Sequence, residues 1–377
     1  MNIEVLLILI IAALSCVSVG IFLMLRNLSM MADAMSHTIL LGIVLGFFIS
    51  KSIHSPILLV CGVLIGLLSS FAISLLEKTK RMSEDAAIGI IFPLFFGSAV
   101  ILITLFASNV HLDLDSVLLG EVTFAPLSRM IFFGVSMPTS LVWLSGGLIL
   151  NVVCITLFYK ELKITSFDPV LATITGISIV AIQYGLMGLV SLTSVLAFDA
   201  IGSILVIAFM IGPAMSGRLV SNTLEEMIVA SIIFTLVNTV IGYFLSLFFD
   251  VSVAGMIATV TGVTFLITVC VAPEKGVITQ IIKRQTKKRL FEQELLLLHL
   301  QSHEHELDYA IEAGKKTILF HLHWDEKKFA AVSEKLIVNN EIECENDVYF
   351  LTEKGSMHVE YVRAFYKIKH IKKGQIG

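Results

Sequence analysis

The sequence has few charged residues: Asp, Glu, Lys and Arg make up 15% of its 377 residues, whereas 56% are hydrophobic. Soluble domains carry about 25% charged residues. So much apolar side-chain area cannot be hidden in one core of this size, which excludes an ordinary soluble domain for most of the chain. Lipid is the natural solvent for such a sequence.

Motifs for hydrolytic or nucleotide chemistry are also missing. There is no G-x-x-x-x-G-K-[ST] phosphate loop, since the nearest stretch, residues 312–317, lacks the upstream glycine. There is no H-E-x-x-H helix, and none of the five cysteines forms a C-x-x-C pair, which argues against a zinc ribbon. We therefore expect no enzyme and no stably bound cofactor. If ATP drives this protein, the ATPase is another chain.

The charge that is present is unevenly distributed. Residues 1–285 hold 12 of the 26 Lys and Arg and 15 of the 30 Asp and Glu, so residues 286–377 hold the other 14 and 15. About half of the charge thus falls in the last quarter of the chain. This predicts a transmembrane domain over 1–280, a basic linker over 281–290 and a cytoplasmic domain over 291–377.

The apolar runs predict an all-α polytopic membrane protein with eight or nine spans, because about 20 apolar residues are needed to cross the hydrocarbon. No Lys or Arg precedes Arg26, so we expect the first run to be a retained helix rather than a cleaved signal peptide. Eight spans result if 172–214 is one broken element. The candidate spans are 5–25, 34–50, 56–76, 86–106, 138–158, 172–197, 200–214, 228–248 and 252–272.

Lys and Arg accumulate on alternate loops, which predicts the orientation. With nine spans and an outer N-terminus, the outer loops hold only Lys51 and Arg129, and the remaining basic residues of the transmembrane part lie on inner loops. The C-terminal domain is then cytoplasmic.

The sharpest candidate site is Asp33-Ala34-Met35-Ser36-His37. Asp33 and His37 are four residues apart and so share one helix face. A carboxylate and an imidazole that converge there suit a divalent ion, and Met30, Met31 and Met35 lie nearby with softer thioethers. The alternative from the spacing is a buried Asp–His pair that locks two helices together.

Two further stretches are candidates. Asp199 falls at a predicted turn between two spans, where it either faces the ion pathway or caps the following helix. A polar, amphipathic segment follows the span that ends at Pro213, on the predicted inner side, and either docks onto a cytoplasmic partner or is an ordinary connection. The members of this segment are Leu219, Val220, Ser221, Asn222, Thr223, Leu224, Glu225, Glu226 and Met227.

Residues 1–280 resemble the permease subunits of the bacterial manganese/zinc/iron ABC importers. Residues 26–37 match that family's R-x-L-x-x-x-x-D-A-x-S-H segment. Shorter similarities follow in the family's order, at residues 84–90 (EDAAIGI), 167–169 (FDP), 211–214 (IGPA) and 272–276 (APEKG).

The resemblance implies a pore of two permease subunits, either two copies or a copy with a sister permease, in the bacterial cell membrane. It implies cytoplasmic ATPase subunits and an extracytoplasmic metal-binding protein as partners. It also implies that Asp33 and His37 line the metal pathway and that the segment 219–227 couples to the ATPase. Asp199 departs from the family, in which that position is often an uncharged polar residue.

The C-terminal domain resembles the winged helix of metal-dependent repressors. Helices are expected over 291–303, 306–321 and 325–339, then a hairpin around Asn346-Asp347 and a last helix to about 369. Its balance of 14 basic and 15 acidic residues does not favour a nucleic-acid partner, and the basic linker suits anionic membrane lipid. Seven of the ten histidines lie here; they are either solvated surface residues or a metal-sensing site.

Together these features predict the membrane-spanning subunit of an ATP-driven importer of divalent metal ions, with manganese first, then zinc or iron. Two other functions stay open. One is a gradient-driven metal transporter, and the other is a membrane-tethered metal sensor that acts through the winged helix.

Overall fold

A computed structural model describes residues 3–52, 55–79, 81–106, 122–132, 134–304 and 308–366. The chain divides into two compact units, Met1–Val277 and Ile278–Gly377. The residues predicted as a linker, 281–290, lie inside one continuous helix, Val277–His303.

The first unit is a helical bundle. Among the described residues, nine of its helices are long and apolar enough to cross a membrane, in agreement with the eight or nine spans predicted. They are α1 Ile3–Leu25, α2 Ser29–Ser50, α3 Pro56–Lys78, α4 Glu84–Phe106, α5 Thr139–Leu157, α8 Ile179–Ile201, α9 Ser203–Val220, α10 Leu224–Phe249 and α11 Val253–Val271. A short hairpin, β1 Arg129–Phe132 and β2 Val135–Pro138, precedes α5, and two short helices, α6 Tyr159–Phe167 and α7 Pro169–Ile174, precede α8.

The predicted span 172–197 begins too early. Its first residues belong to α7, and α8 begins only after Ser178, whose side chain accepts a hydrogen bond from the backbone of Ala181. The break between α8 and α9 falls at Gly202, with φ 75° and ψ 163°. Backbone in this region is readily adopted by glycine alone, so the two helices are separate spans.

The centre of this unit is α1, which packs against α5, α8, α9 and α10. Buried polar groups join these helices: the Asn151 side chain on α5 donates to the hydroxyls of Ser15 on α1 and Thr193 on α8. Many large apolar side chains elsewhere on the bundle are exposed, such as Leu64 and Leu105. An exposed apolar surface of this kind suits lipid contact.

Small residues let α2 approach α3 closely. A Cβ added to Gly42 would lie 2.5 Å from the carbonyl oxygen of Cys61, and one on Gly46 would lie 2.8 Å from Cα of Leu58. This small-x-x-x-small spacing is how membrane helices bring their backbones together. The contact is reinforced where the Thr38 hydroxyl donates to Ser69 at 3.0 Å.

Two glycines at the same spacing on α3 allow α8 to pack closely against it. Gly62 faces Val195 and Ile39, and Gly66 faces Ser191. The pairing order shows that α8 runs antiparallel to α3 and therefore in the same direction as α2. The position of α2 relative to α8 is thus set by the glycines of α2 that face α3 and by the glycines of α3 that face α8.

The second unit is a small α+β domain. Its buried core contains Leu296, Ile318, Phe329 and Tyr349. The hairpin predicted around Asn346-Asp347 is present, with antiparallel pairing from Ile342↔Leu351 to Glu345↔Val348. Its elements are α12 Val277–His303, α13 Tyr309–Glu312, α14 Lys315–Leu322, α15 Glu326–Val338, β3 Ile342–Glu345, β4 Val348–Leu351 and α16 Glu353–Tyr366.

Candidate functional site

Asp33 and His37 lie one turn apart near the start of α2. Oδ1 of Asp33 is 3.6 Å from Nε2 of His37, and the two side chains are 47% and 21% exposed. This distance is longer than a good hydrogen bond. The two side chains are therefore not joined by a close hydrogen bond, and both are partly exposed.

The imidazole of His37 lies against an aromatic wall on α4. Its ring centroid is 5.3 Å from that of Phe92 and 6.0 Å from that of Phe96, with the Phe96 ring nearly perpendicular to it. The ring therefore lies between the two phenylalanines of α4 and the carboxylate of Asp33.

The three methionines near the pair separate into two groups. Met31 and Met35 are 1% and 0% exposed and belong to the core, and the hydroxyl of Ser70 lies 3.5 Å from the sulfur of Met31. Met30 is 57% exposed, and it falls three residues before Asp33 on the same helix face. Of these three thioethers, only that of Met30 lies outside the core.

Asp199 occupies another level of the bundle. It lies within α8, three residues before Gly202, so it is not the N-cap of the next helix that the sequence allowed; Gly202 holds that position. Gly62 brings Val195 level with Ile39. Asp199 lies four residues after Val195, and Asp33 lies six residues before Ile39. At 1.5 Å per residue, Asp33 and Asp199 are therefore separated by about 15 Å along the parallel helices.

The segment 219–227 is a tight connection between two spans rather than a helix of its own. Leu219 and Val220 end α9, and Thr223 caps α10 in a capping box with Glu226. In this connection the Asn222 backbone donates to the Glu226 carboxylate at 2.8 Å. The capping hydrogen bonds commit residues 224–227 to α10, and the coupling of this segment to an ATPase stays a prediction.

This turn is tied to neighbouring elements at the same end of the bundle. Glu225 accepts from the Lys163 ammonium at 2.7 Å and from the Tyr159 hydroxyl at 2.8 Å. Lys275 donates to the carbonyl oxygens of Ser221 at 2.7 Å and Arg218 at 2.9 Å. We call this the basic end of the bundle, since it also contains Arg26.

Two short helices at the basic end, α6 and α7, were not singled out by sequence reasoning. Arg26 donates to the hydroxyls of Thr165 and Ser166, which fixes α6 to the end of α1. Asp168 caps α7 by accepting from the Leu171 backbone at 2.9 Å, and a proline occupies the first position of that helix. Large apolar side chains are exposed on this pair of helices: Phe167, Val170, Leu171 and Ile174.

Comparisons with known proteins agree with this architecture. Residues 1–272 match the model of the ABC 3 transport family. Over 355 residues the chain is 39% identical to the zinc transport system membrane protein TroD of Treponema pallidum, covering 94% of this chain and 97% of that protein. It is also 39% identical over 275 residues to the manganese transport system membrane protein MntD of Bacillus subtilis, with 73% and 93% covered.

A solved structure shares the fold of the first unit. PsaBC from Streptococcus pneumoniae, in complex with Fab, superposes with a TM-score of 0.61 and 30% identity, over 72% of this chain and 92% of that chain. The match to TroD continues through the second unit, whereas 73% of this chain accounts for nearly all of MntD. The family model covers residues 1–272, well over half of the chain, and the chain therefore belongs to the ABC 3 transport family of membrane permease subunits.

Proposed function

We propose that this chain is the membrane-spanning subunit of an ATP-driven importer of Mn²⁺ or Zn²⁺. The relatives named above transport one or the other of these ions. The observation that carries the proposal is the Asp33–His37 pair, an ionisable pair placed on an accessible face of a membrane helix. Ionisable groups in membrane spans are costly and mark ion pathways.

Two ligands from one helix do not complete a coordination shell. In a single chain, Asp33 is about half exposed although it lies within a span, so the face bearing Met30, Asp33 and His37 has room for another subunit. A two-fold pore would bring a second copy, or the matching face of a sister permease, opposite the first. Two carboxylates and two imidazoles around one axis suit either Mn²⁺ or Zn²⁺.

The test is metal accumulation in cells that rely on this importer, with Asp33→Asn and His37→Gln. We expect uptake to fall to background at normal protein levels in the membrane, because each change removes a ligand and preserves side-chain size. Asp85→Asn, on the exposed start of α4, is the matched control and should retain uptake. Normal uptake by both ligand variants would overturn the proposed pathway.

The energy source has its own test. With the partner ATPase present but inactivated at its catalytic glutamate, an ATP-driven importer accumulates no metal. Uptake that continues under those conditions would favour the gradient-driven alternative.

We assign the ATPase-docking surface to the basic end of the bundle. It would combine the turn within 219–227 with the exposed apolar side chains of α6 and α7, such as Phe167 and Ile174. Excess Lys and Arg at this end supports a cytoplasmic location. The opposite end, where Arg129 pairs with Glu4 at 2.9 Å, would then face the extracytoplasmic metal-binding protein.

For the second unit we propose a cytoplasmic winged-helix module that contacts protein rather than DNA. The order of α14, α15 and the β3–β4 hairpin supports the winged-helix fold. So does the isolated bridge from Gly314 to Val348, which places a third short extended segment beside the hairpin. The near balance of acidic and basic residues supports contact with protein rather than DNA. Sequence-specific DNA binding by the full-length protein would instead favour the sensor alternative.

A further inference from the structure

Three histidines of the second unit converge, although His321 is remote in sequence from His299 and His303. His299 and His303 lie in the last turns of α12, and His321 lies near the end of α14. One ring nitrogen from each lies within 4.8 Å of the others. The ring centroid of His299 is 4.9 Å from that of His303 and 5.6 Å from that of His321.

The groups around these rings are those that orient metal ligands. Nε2 of His299 donates to the carbonyl oxygen of Glu312 at 3.2 Å, which leaves Nδ1 of that ring as the lone-pair donor. Oε2 of Glu312 is buried and makes no hydrogen bond within the described part of the chain, yet it lies 3.4 Å from Nδ1 of His321. Metal-bound histidines characteristically give their other nitrogen to a backbone carbonyl or a carboxylate.

The three histidines of the cluster differ in how deeply they are buried. His299 and His303 are half-buried and His321 is exposed. A metal ion binds the neutral form of each imidazole through the lone pair of one ring nitrogen. The exposed side of the cluster, at His321, leaves the three rings accessible to an ion from solvent.

We propose that His299, His303 and His321 form a Zn²⁺-binding site in the second unit, with Glu312 as the positioning residue. Three neutral imidazoles and a water at the fourth position give the tetrahedral geometry that zinc adopts. The all-nitrogen set binds Mn²⁺ much more weakly, because affinities rise from manganese toward zinc and manganese favours oxygen ligands. Bound zinc would link α12 to α14.

This site is separate from the proposed transport pathway, which uses a carboxylate and an imidazole of α2. A zinc ion held in the second unit would act as a regulatory ligand and not as cargo in transit. The role is independent of the proposed import function, because it depends only on residues of the second unit.

The experiment measures zinc retained by the full-length chain, purified in detergent without a polyhistidine tag. An Asp33→Ala/His37→Ala background removes the pathway ligands, so that remaining zinc belongs to the second unit. Equilibrium dialysis against ZnCl₂ should then give one ion per chain. His303→Gln should abolish this binding, and Glu312→Gln should weaken it by about tenfold or more.

The matched control is His323→Asn, two residues from the cluster. His323 has φ 51° and ends α14 in the left-handed region, a conformation that asparagine also tolerates. This variant should bind zinc normally. Cobalt supplies a second readout that needs no variant, since a tetrahedral Co²⁺ site absorbs strongly in the visible.

Each outcome decides the matter. Zinc binding lost with His303→Gln and kept with His323→Asn, together with the cobalt bands, supports the site. A chain that retains no zinc, or that binds it equally well after both His303→Gln and His321→Gln, overturns it. Either result leaves the uptake test on Asp33 and His37 unaffected, so the two proposals fail separately.

Discussion

The side-chain amide of Asn151 donates a hydrogen bond of 2.8 Å to the hydroxyl of Thr193 and one of 3.1 Å to the hydroxyl of Ser15. All three residues are buried. One side chain thus joins α5, α8 and the central helix α1 in the middle of an apolar bundle. Polar groups in this setting hold membrane helices together and fix their rotation.

Replacing Asn151 with Leu should lower the free energy of unfolding by about 0.5–2 kcal/mol, the range measured for such interhelical hydrogen bonds. The loss arises because two hydroxyls are left without their donor in a site that excludes water. Thermal unfolding of the detergent-solubilised chain measures it. Thr156→Val is the control, since Thr156 is exposed on the same helix and its hydroxyl donates only to the carbonyl oxygens of Val152 and Val153 in the described structure. Equal stability of the two variants would contradict the role given to Asn151.

Gly42→Ala should destabilise the bundle by about 1–3 kcal/mol, the usual cost of overpacking. The added Cβ meets the backbone of Cys61 and Gly62 at 2.5–2.6 Å, and backbone cannot move aside as a flexible side chain does. Gly97→Ala is the matched control, because a Cβ there meets nothing within 4 Å. That control should be neutral or stabilising by about 0.5–1 kcal/mol through helix propensity. A neutral Gly42→Ala would show that α2 and α3 do not approach as closely as described.

Charge reversal at Lys163 should reduce uptake several-fold with little change in melting temperature. Exposed ion pairs contribute little to stability because water screens them, but Lys163→Glu would repel Glu225 and separate α6 from the start of α10 at the proposed docking surface. The double variant Lys163→Glu/Glu225→Lys restores opposite charges and should recover much of the uptake. A reversal without effect, or a swap without recovery, would remove this pair from the coupling mechanism.

Asp199→Asn should leave metal uptake close to the unsubstituted level, while Asp33→Asn abolishes it. The two carboxylates lie about 15 Å apart along parallel helices, which is too far for one coordination shell. Initial uptake rates at limiting metal make the comparison sensitive to a weak ligand. A large loss of uptake with Asp199→Asn would mean that the ion pathway also includes this carboxylate, near the C-terminal end of α8.

Local sequence patterns were enough to predict the spans and most of their ends. Apolar runs act over a few positions, so the spans are readable from sequence, whereas the break at Gly202 and the capping residues Ser178 and Thr223 were not predicted. The turn before α8 was misplaced because α7 is apolar enough to look like the start of a span. The helix end at 174 is decided by the Thr175–Gly176 backbone and not by hydropathy.

Contacts between distant residues were not readable in this way. The spacing of Asp33 and His37 placed them on one helix face, but the aromatic wall on α4 and the burial of Met31 and Met35 depend on how helices pack. Likewise His321 is remote in sequence from His299, and only the fold of the second unit brings their rings together. Pairings set by tertiary packing leave no periodic signal.

The outward position of Asp33 on a single chain has a genetic consequence. In a pore built from two copies, one altered gene changes both halves of the ligand shell. When unaltered and Asp33→Ala chains are produced in equal amounts and pair at random, only about a quarter of the pores keep both carboxylates. Such an allele would therefore be dominant over the unaltered one, and its severity would depend on the ratio of the two chains in the membrane.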